Sequence, residues 1–180
     1  MYEIIKEQKQ EITYLKSKID NLEKDMKELL NFKKEIENEK IIIDSNIINN
    51  NNDYKRYLKN WINPNQIIKT QLLMRLSRDG DSIETFHKLC DNISPTLVLA
   101  ESLNGNKFGG YTTCIWDKNG GDKKDDKTFL FSLTKNKIFK KKDINQRDIY
   151  CGNSYGPDFG GNDFYFHPTL KKCTSYSPYY

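Results

Sequence analysis

Glycine pairs wedged between aromatic rings constrain this chain more than any other feature: Phe108-Gly109-Gly110-Tyr111, then Tyr155-Gly156-Pro157-Asp158-Phe159-Gly160-Gly161. Glycine loses more backbone freedom on folding than any other residue, so paired glycines beside bulky rings mark sharp bends or close backbone approach in a β-rich domain. A third distinctive string, Ser77-Arg78-Asp79-Gly80, is followed closely by Phe86-His87-Lys88-Leu89-Cys90-Asp91. All three speak to geometry before chemistry.

The chain has 180 residues, room for one ordinary domain and an appendage. Hydrophobic content is 36%, below the usual share of about 45%, so part of the chain lies outside a core. Most of the eleven tyrosines and nine phenylalanines follow Asp53, and the globular portion is placed there. No apolar run approaches the roughly 20 residues that cross a bilayer, and the start lacks a cationic, apolar, small-residue signal pattern. A cytoplasmic protein without a transmembrane segment is the reading. The cysteines Cys90, Cys114, Cys151 and Cys173 form no Cys-x-x-Cys pair and are expected to be reduced and buried. A zinc site from Cys151, His167 and Cys173 lacks ligand spacing.

Apolar residues repeat at seven through residues 1–43. Ile5, Ile12, Ile19 and Met26 take one seam position, and Leu15, Leu22, Leu29 and Ile36 the other. That pattern argues for a coiled coil, and isoleucine at the first position with leucine at the second favours a parallel pair. In such a pair Glu11 faces Lys16 of the partner chain and Lys18 faces Glu23, contacts worth at most about 1 kcal/mol each that set orientation. Gln8, Lys33 and Lys40 interrupt the seam, and a single helix folded back on the domain is the competing reading. Residues 44–53, rich in asparagine, read as a linker, and 54–180 as the domain.

Within the domain, Tyr54, Tyr57, Leu58 and Trp61 fall at helical spacing before Pro64. Leu72 to Leu76 reads as a buried strand turned by Ser77 to Gly80. Asp81 stands three residues before Glu84, a capping-box-like start for a helix carrying Ile83, Phe86 and Leu89 or Cys90 on one face. Asn104-Gly105 between Thr96–Leu103 and Lys107–Trp116 is a hairpin signal, with Thr112, Cys114 and Trp116 on one face. Gly120 to Lys127 reads as a loop, Thr128 to Leu133 as a strand joined by a lysine-rich turn to Ile149-Tyr150-Cys151, and Phe164-Tyr165-Phe166 as a further strand. The fold class is α+β, mainly β: a sandwich with peripheral helices.

Taken in order with Pro95-Thr96-Leu97 and Phe129-Leu130-Phe131-Ser132-Leu133, these strings closely resemble the TLDc family, the domain of oxidation-resistance proteins, over roughly Asn65 to Tyr180. The resemblance implies a TLDc-like β-sandwich in which Ser77, Arg78, Asp79, Gly80, Phe108, Gly109, Gly110, Tyr111, Gly156, Phe159, Gly160, Gly161 and Asp163 are structural. It also implies a protein-binding role, linked to protection against oxidative stress and in several relatives to the cytosolic part of the vacuolar proton-pumping ATPase. Two features depart from the family: Asp163-Phe164 stands where Asp-Leu is more usual, and no closing strand with a Glu-Val type motif precedes Tyr179-Tyr180.

Several constellations invite a chemical reading. His87 and Cys90 are neighbours on a helical face, but a nucleophilic cysteine also needs an oriented base and an oxyanion site. Asp79, Asp81, Asp158 and Asp163 would form a metal or acid–base site if the Arg78 turn lay beside Gly160-Gly161. Turns and caps use aspartate more often, and Arg78 then serves as a buried ion-pair partner for one of them. Phe108-Gly109-Gly110-Tyr111 lacks the lysine and spacing of a phosphate loop. Lys135, Lys137, Lys140, Lys141 and Lys142 offer an anionic lipid or acidic protein a basic surface, without the aromatic interleaving that nucleic acid needs. The reading is therefore a non-catalytic interaction module, paired by its first helix, with no cofactor or metal. The alternatives are a thiol- or metal-dependent enzyme using Cys90 and His87, and an architectural coiled-coil scaffold.

Overall fold

The computed structural model describes residues 2–39, 41–141, 147–161, 163–166, 170 and 173–175. They form two units, Met1–Ile41 and Ile42–Tyr180. In chain order the elements are α1 (Tyr2–Glu39), β1 (Ile41–Ile42), α2 (Asn52–Ile62), β2 (Ile68–Lys69), α3 (Leu76–Asp79), α4 (Ile83–Cys90), β3 (Thr96–Glu101), β4 (Lys107–Thr112), β5 (Gly121–Lys123), β6 (Phe129–Ser132), β7 (Lys137–Phe139), β8 (Ile149–Cys151), β9 (Asp158–Phe159), β10 (Phe164–Phe166) and β11 (Cys173–Ser175).

In the first unit, lysine, glutamate and leucine lose little rotamer freedom in a helix, and α1 runs unbroken for 38 residues. Its seam side chains all face solvent, from 41% exposed at Ile36 to 69% at Leu29.

The second unit is built on two antiparallel sheets, β3-β4-β6-β7 and β11-β10-β9-β8-β5, beside the two-stranded β1-β2. Register decides which side chains meet. Val98 lies opposite Gly110, which lies opposite Leu130, which lies opposite Phe139. The apolar members of that row enter a core shared with Ile149, Cys151, Phe159 and Phe164 of the second sheet. One residue along, Gly109 pairs with Phe131, whose ring meets Trp61 of α2 at 5.9 Å on the other face. A helix and two sheets are thus stacked. Phe86 of α4 reaches the same core, its ring 5.9 Å from Trp116, and Trp116 stands edge-on to Phe159 at 5.5 Å.

The first glycine doublet serves both faces of β4. A Cβ at Gly110 would stand 2.6 Å from the Phe159 ring, and one at Gly109 would overlap the Val98 carbonyl oxygen. Side chains are excluded at both positions.

Several local expectations are corrected. Leu72–Leu76 is not a strand: Leu73 and Met74 pack on the core from irregular backbone, and Leu76 opens α3. The cause is Asp79, whose Oδ2 accepts the Arg75 N–H at 2.8 Å and winds the segment into a turn. The cap of α4 is Ser82, accepting the Thr85 N–H at 3.1 Å, one residue later than the Asp81 box. The hairpin loop spans five residues, Ser102 to Asn106, with Gly105 at φ +76°. β4 stops at Thr112, and Trp116 returns only as a bridge to Asp91. The Gly120–Lys127 loop contains β5, and the lysine-rich turn contains β7. In the Asn-rich stretch Ser45 Oγ accepts the N–H groups of Ile47 and Ile48, and Ile48 is buried. Asn51 then caps α2 through the Tyr54 N–H at 3.0 Å. Lys142, His167 and Tyr179-Tyr180 lie outside the described residues.

Gly110→Ala should lower stability by about 3 kcal/mol, because Phe159 has no free space into which to retreat. Gly105→Ala meets open space and should cost only the left-handed backbone strain, about 1 kcal/mol. Urea midpoints of the two variants at equal m-value check the difference.

Candidate functional site

The Ser77–Gly80 string forms a charged clasp. Asp79 accepts from Arg78 Nε at 2.7 Å and Nη2 at 2.9 Å, a bidentate fork, and Arg78 Nη2 also donates to the Leu73 carbonyl at 3.0 Å. Arg75 extends the clasp to Asp44 at 2.9 Å. The Arg78 hydrogen bond, then that from the Arg75 backbone, holds the Asp79 carboxyl below the usual aspartate range. Arg78 does pair with an aspartate, but at the surface: its side chain is 49% exposed.

His87 and Cys90 share α4 without forming a couple. His87 Nδ1 faces Asp91 Oδ1 at 2.8 Å, and Nε2 faces the Gly152 carbonyl at 3.1 Å. Neither nitrogen is left to take a proton from Cys90. Burial, reinforced by the charges of Asp91 and Asp79, pushes the Cys90 thiol up to about 11, so almost no thiolate exists near neutrality. Glu84, Lys118, Asn153 and Ser154 surround the shallow hollow in front of His87. Asp158 and Asp163 are buried, but among the described residues no three His, Cys, Asp or Glu side chains are placed to share a metal ion.

The densest polar constellation escaped sequence reasoning. Asp125 accepts five hydrogen bonds: from Thr112 Oγ1, from the Thr113 amide and hydroxyl, from the Lys127 amide and from Thr128 Oγ1. Burial raises the Asp125 carboxyl, but those donors outweigh it and set the net value at about 2. The Asp125 N–H donates to fully buried Asp148, and Lys141 Nζ reaches the same oxygen at 2.6 Å. In the sequence Asp125 lies within the charged run Asp122 to Lys127, and nothing there marks its bonds to Thr112 and Thr113. Lys141 is thus bound inside the protein, while Lys135, Lys137 and Lys140 stand at the surface. The second glycine doublet cradles Arg147, which donates to Asp122 at 2.9 Å and to the Gly161 carbonyl at 3.3 Å. A Cβ at Gly161 would collide with that guanidinium.

A two-sheet sandwich with an arginine–aspartate turn, a glycine pair in the middle of β4 and an arginine-filled glycine loop defines a β-rich module in which Arg78 and Arg147 are bonded to the protein's own backbone. The family model of the TLDc domain matches residues 41–179, and the chain belongs to that family. The mouse MTOR-associated protein MEAK7 is 31% identical over 80 residues, 43% of this chain and 17% of MEAK7. The chain therefore covers only a small part of that relative's length. No described helix is long and apolar enough to cross a membrane.

Asp125 should dominate acid sensitivity. Its folded-state value lies below the ordinary 3.8, so its stabilisation is full above that value and is lost as pH falls through it toward about 2. In Asp125→Asn, denaturant midpoints should be lower at neutral pH and flatter across that window than in the wild type.

Proposed function

We propose that the chain is a non-catalytic docking module of the TLDc type, held in parallel pairs by α1. The observation that carries this reading is the commitment of its reactive-looking groups to internal bonds in a domain of that family. His87, Asp125, Asp148 and Arg147 all hold backbone or one another, and Cys90 is a buried neutral thiol. What remains for function is an outer surface. MEAK7 is named for association with MTOR, and association rather than turnover is the mode proposed here. The partner proposed is the cytosolic part of the vacuolar proton-pumping ATPase, with a consequent role in oxidative-stress protection in the cytoplasm. Lys135, Lys137 and Lys140 would face an acidic part of that assembly.

Pairing follows from the α1 seam, whose exposed isoleucines and leucines have no cover within a single helix. Two weak docking contacts on one dimer would then act together, raising apparent affinity by about 100-fold where the geometry allows both to engage.

Sedimentation of the wild type should give twice the chain mass, and Ile19→Asn, which puts an amide in the middle of the seam, should give the monomer. Equal masses for the two proteins would end the pairing proposal. Proton-pump subunits should co-purify with the tagged full-length chain, and much less with Ile19→Asn; a preparation free of them would remove the pump from the proposal.

A further inference from the structure

The two outer strands of the first sheet are built differently. β7 is short, with Lys137 in it and Lys135 and Lys140 beside it, and lysines at an edge discourage strand pairing. β3, at the other edge, runs for six residues, Thr96-Leu97-Val98-Leu99-Ala100-Glu101, with its one charge at the end. Hydrogen bonds at the hairpin show which of its backbone groups face outward. The Ser102 N–H donates to the Asn106 carbonyl at 2.9 Å, and Lys107 turns its own carbonyl the other way, accepting the Leu133 N–H at 2.9 Å. Bonded and unbonded pairs alternate along an antiparallel ladder, so Thr96, Val98 and Ala100 bond to β4, while Leu97, Leu99 and Glu101 direct their N–H and C=O groups away from it. Among the described residues no strand and no other backbone group is bonded on that side. Leu97, Val98 and Leu99 are only partly buried, so an added strand would cover apolar surface as well as backbone.

We propose that β3 pairs with β3 of a second copy of this chain, antiparallel and centred on Leu99, joining two four-stranded sheets into one. The inference rests on the pairing of α1 proposed above and adds a second contact within that pair. In this register Leu99 lies opposite its own copy and Leu97 opposite the copy of Glu101, so the outward N–H and C=O groups of both strands all find bonds. A shift of two residues would bring into the ladder either Pro95, which has no N–H, or Leu103 of the hairpin loop. Charge selects the direction. A parallel, in-register pairing would set Glu101 beside its copy, whereas the antiparallel one holds the two carboxylates at opposite ends of an otherwise uncharged ladder.

Size decides how such a contact can form. Two strands of this length meeting edge to edge bury far less than the roughly 1,000 Å² that a stable interface needs, so separate chains would not stay together through β3 alone. A pair of α1 helices puts both copies of β3 on one particle, at an effective concentration in about the millimolar range, and the second contact then forms as an intramolecular step. A second copy is therefore the strand most available to this edge. Once the two edges are joined, neither is left open to a foreign strand.

The test is residue-resolved amide exchange on the full chain, with sedimentation of the same samples. In the wild-type dimer the Leu97, Leu99 and Glu101 amides should exchange about 10-fold or more slowly than in Ile19→Asn, while those of Val98 and Ala100, bonded to β4, should match in the two proteins. Leu99→Pro removes an outward N–H and leaves the bonds to β4 in place, so it should keep the dimer mass while Leu97 and Glu101 lose their protection. A wild-type dimer whose edge amides exchange as fast as those of monomeric Ile19→Asn overturns the β3 contact and leaves the α1 pair standing. A wild-type monomer overturns both. Protection that persists in monomeric Ile19→Asn, or unchanged in Leu99→Pro, also overturns the contact, because the cover then comes from elsewhere. If Ile19→Asn keeps the dimer mass, the α1 reading falls, and Leu99→Pro against the wild type decides for β3. Should Leu99→Pro fail to fold, the wild type and Ile19→Asn decide between them.

Discussion

The contact of the Phe159 ring with Gly110 is the constraint on which the rest of the domain depends. Phe159 is fully buried, and the ring can lie against β4 only because that position has no side chain. From that point a chain of rings spreads in two directions. Trp116 and Phe86 carry it to α4, and Phe164 and Phe108 carry it back to the first sheet at centroid spacings of 5.9 and 5.5 Å. Each ring pair adds about 0.5 to 1.5 kcal/mol beyond the area it buries. A methyl group at residue 110 would displace the one ring common to both branches, so the damage would spread through the core.

Polar groups hold the ends of the sandwich as the rings hold its middle. Asp125 gathers the backbone of Thr113 and Lys127, and Asp148 gathers Asp125 and Lys141. Burying such groups is tolerable only when their bonds are made, and once made those bonds also fix loop positions. Among the described residues, the Cys90 thiol accordingly has no free base beside it, since both nitrogens of His87 face other acceptors. A reactive pair needs a group held in place with capacity to spare, and the His87 ring nitrogens are instead set against Asp91 and the Gly152 carbonyl.

What could be read from the sequence was whatever depends on local pattern. The α1 helix, the helix around Tyr57 and Trp61, the apolar face of α4 and the pairing of β3 with β4 all follow from spacing within a few residues. The run of short strands with turn signals points to the two-sheet architecture, and the TLDc resemblance agrees with it. What was missed depends on contacts distant in sequence. Leu72–Leu76 has the composition of a strand, but the Asp79 carboxylate imposes a turn on its end. Thr113 looks like a strand residue, yet its amide and hydroxyl are bonded to Asp125, and β4 ends at Thr112. Lys141 looks like one of a row of surface lysines, and only the fold brings it to Asp148.

That last case bears on how the surface lysines are to be understood. β7 is the outer strand of its sheet, short, with Lys137 within it and Lys135 and Lys140 flanking it. The Lys137 ammonium lies 5.1 Å from the Phe139 ring, covering apolar surface at the edge. Lysines at a sheet edge oppose unwanted strand pairing, because a second strand would have to bury or displace their charge. The opposite edge, β3, is six residues long and carries charge only at Glu101. Edge protection therefore accounts for Lys135, Lys137 and Lys140 without any ligand, and an acidic partner would exploit a charge already present for another reason. The proposed pairing of α1 rests on a different feature: isoleucines and leucines recurring at seven and exposed to solvent call for apolar cover, which a second helix of the same pattern would supply. In the docking proposal, the α1 seam thus weighs more than the basic patch.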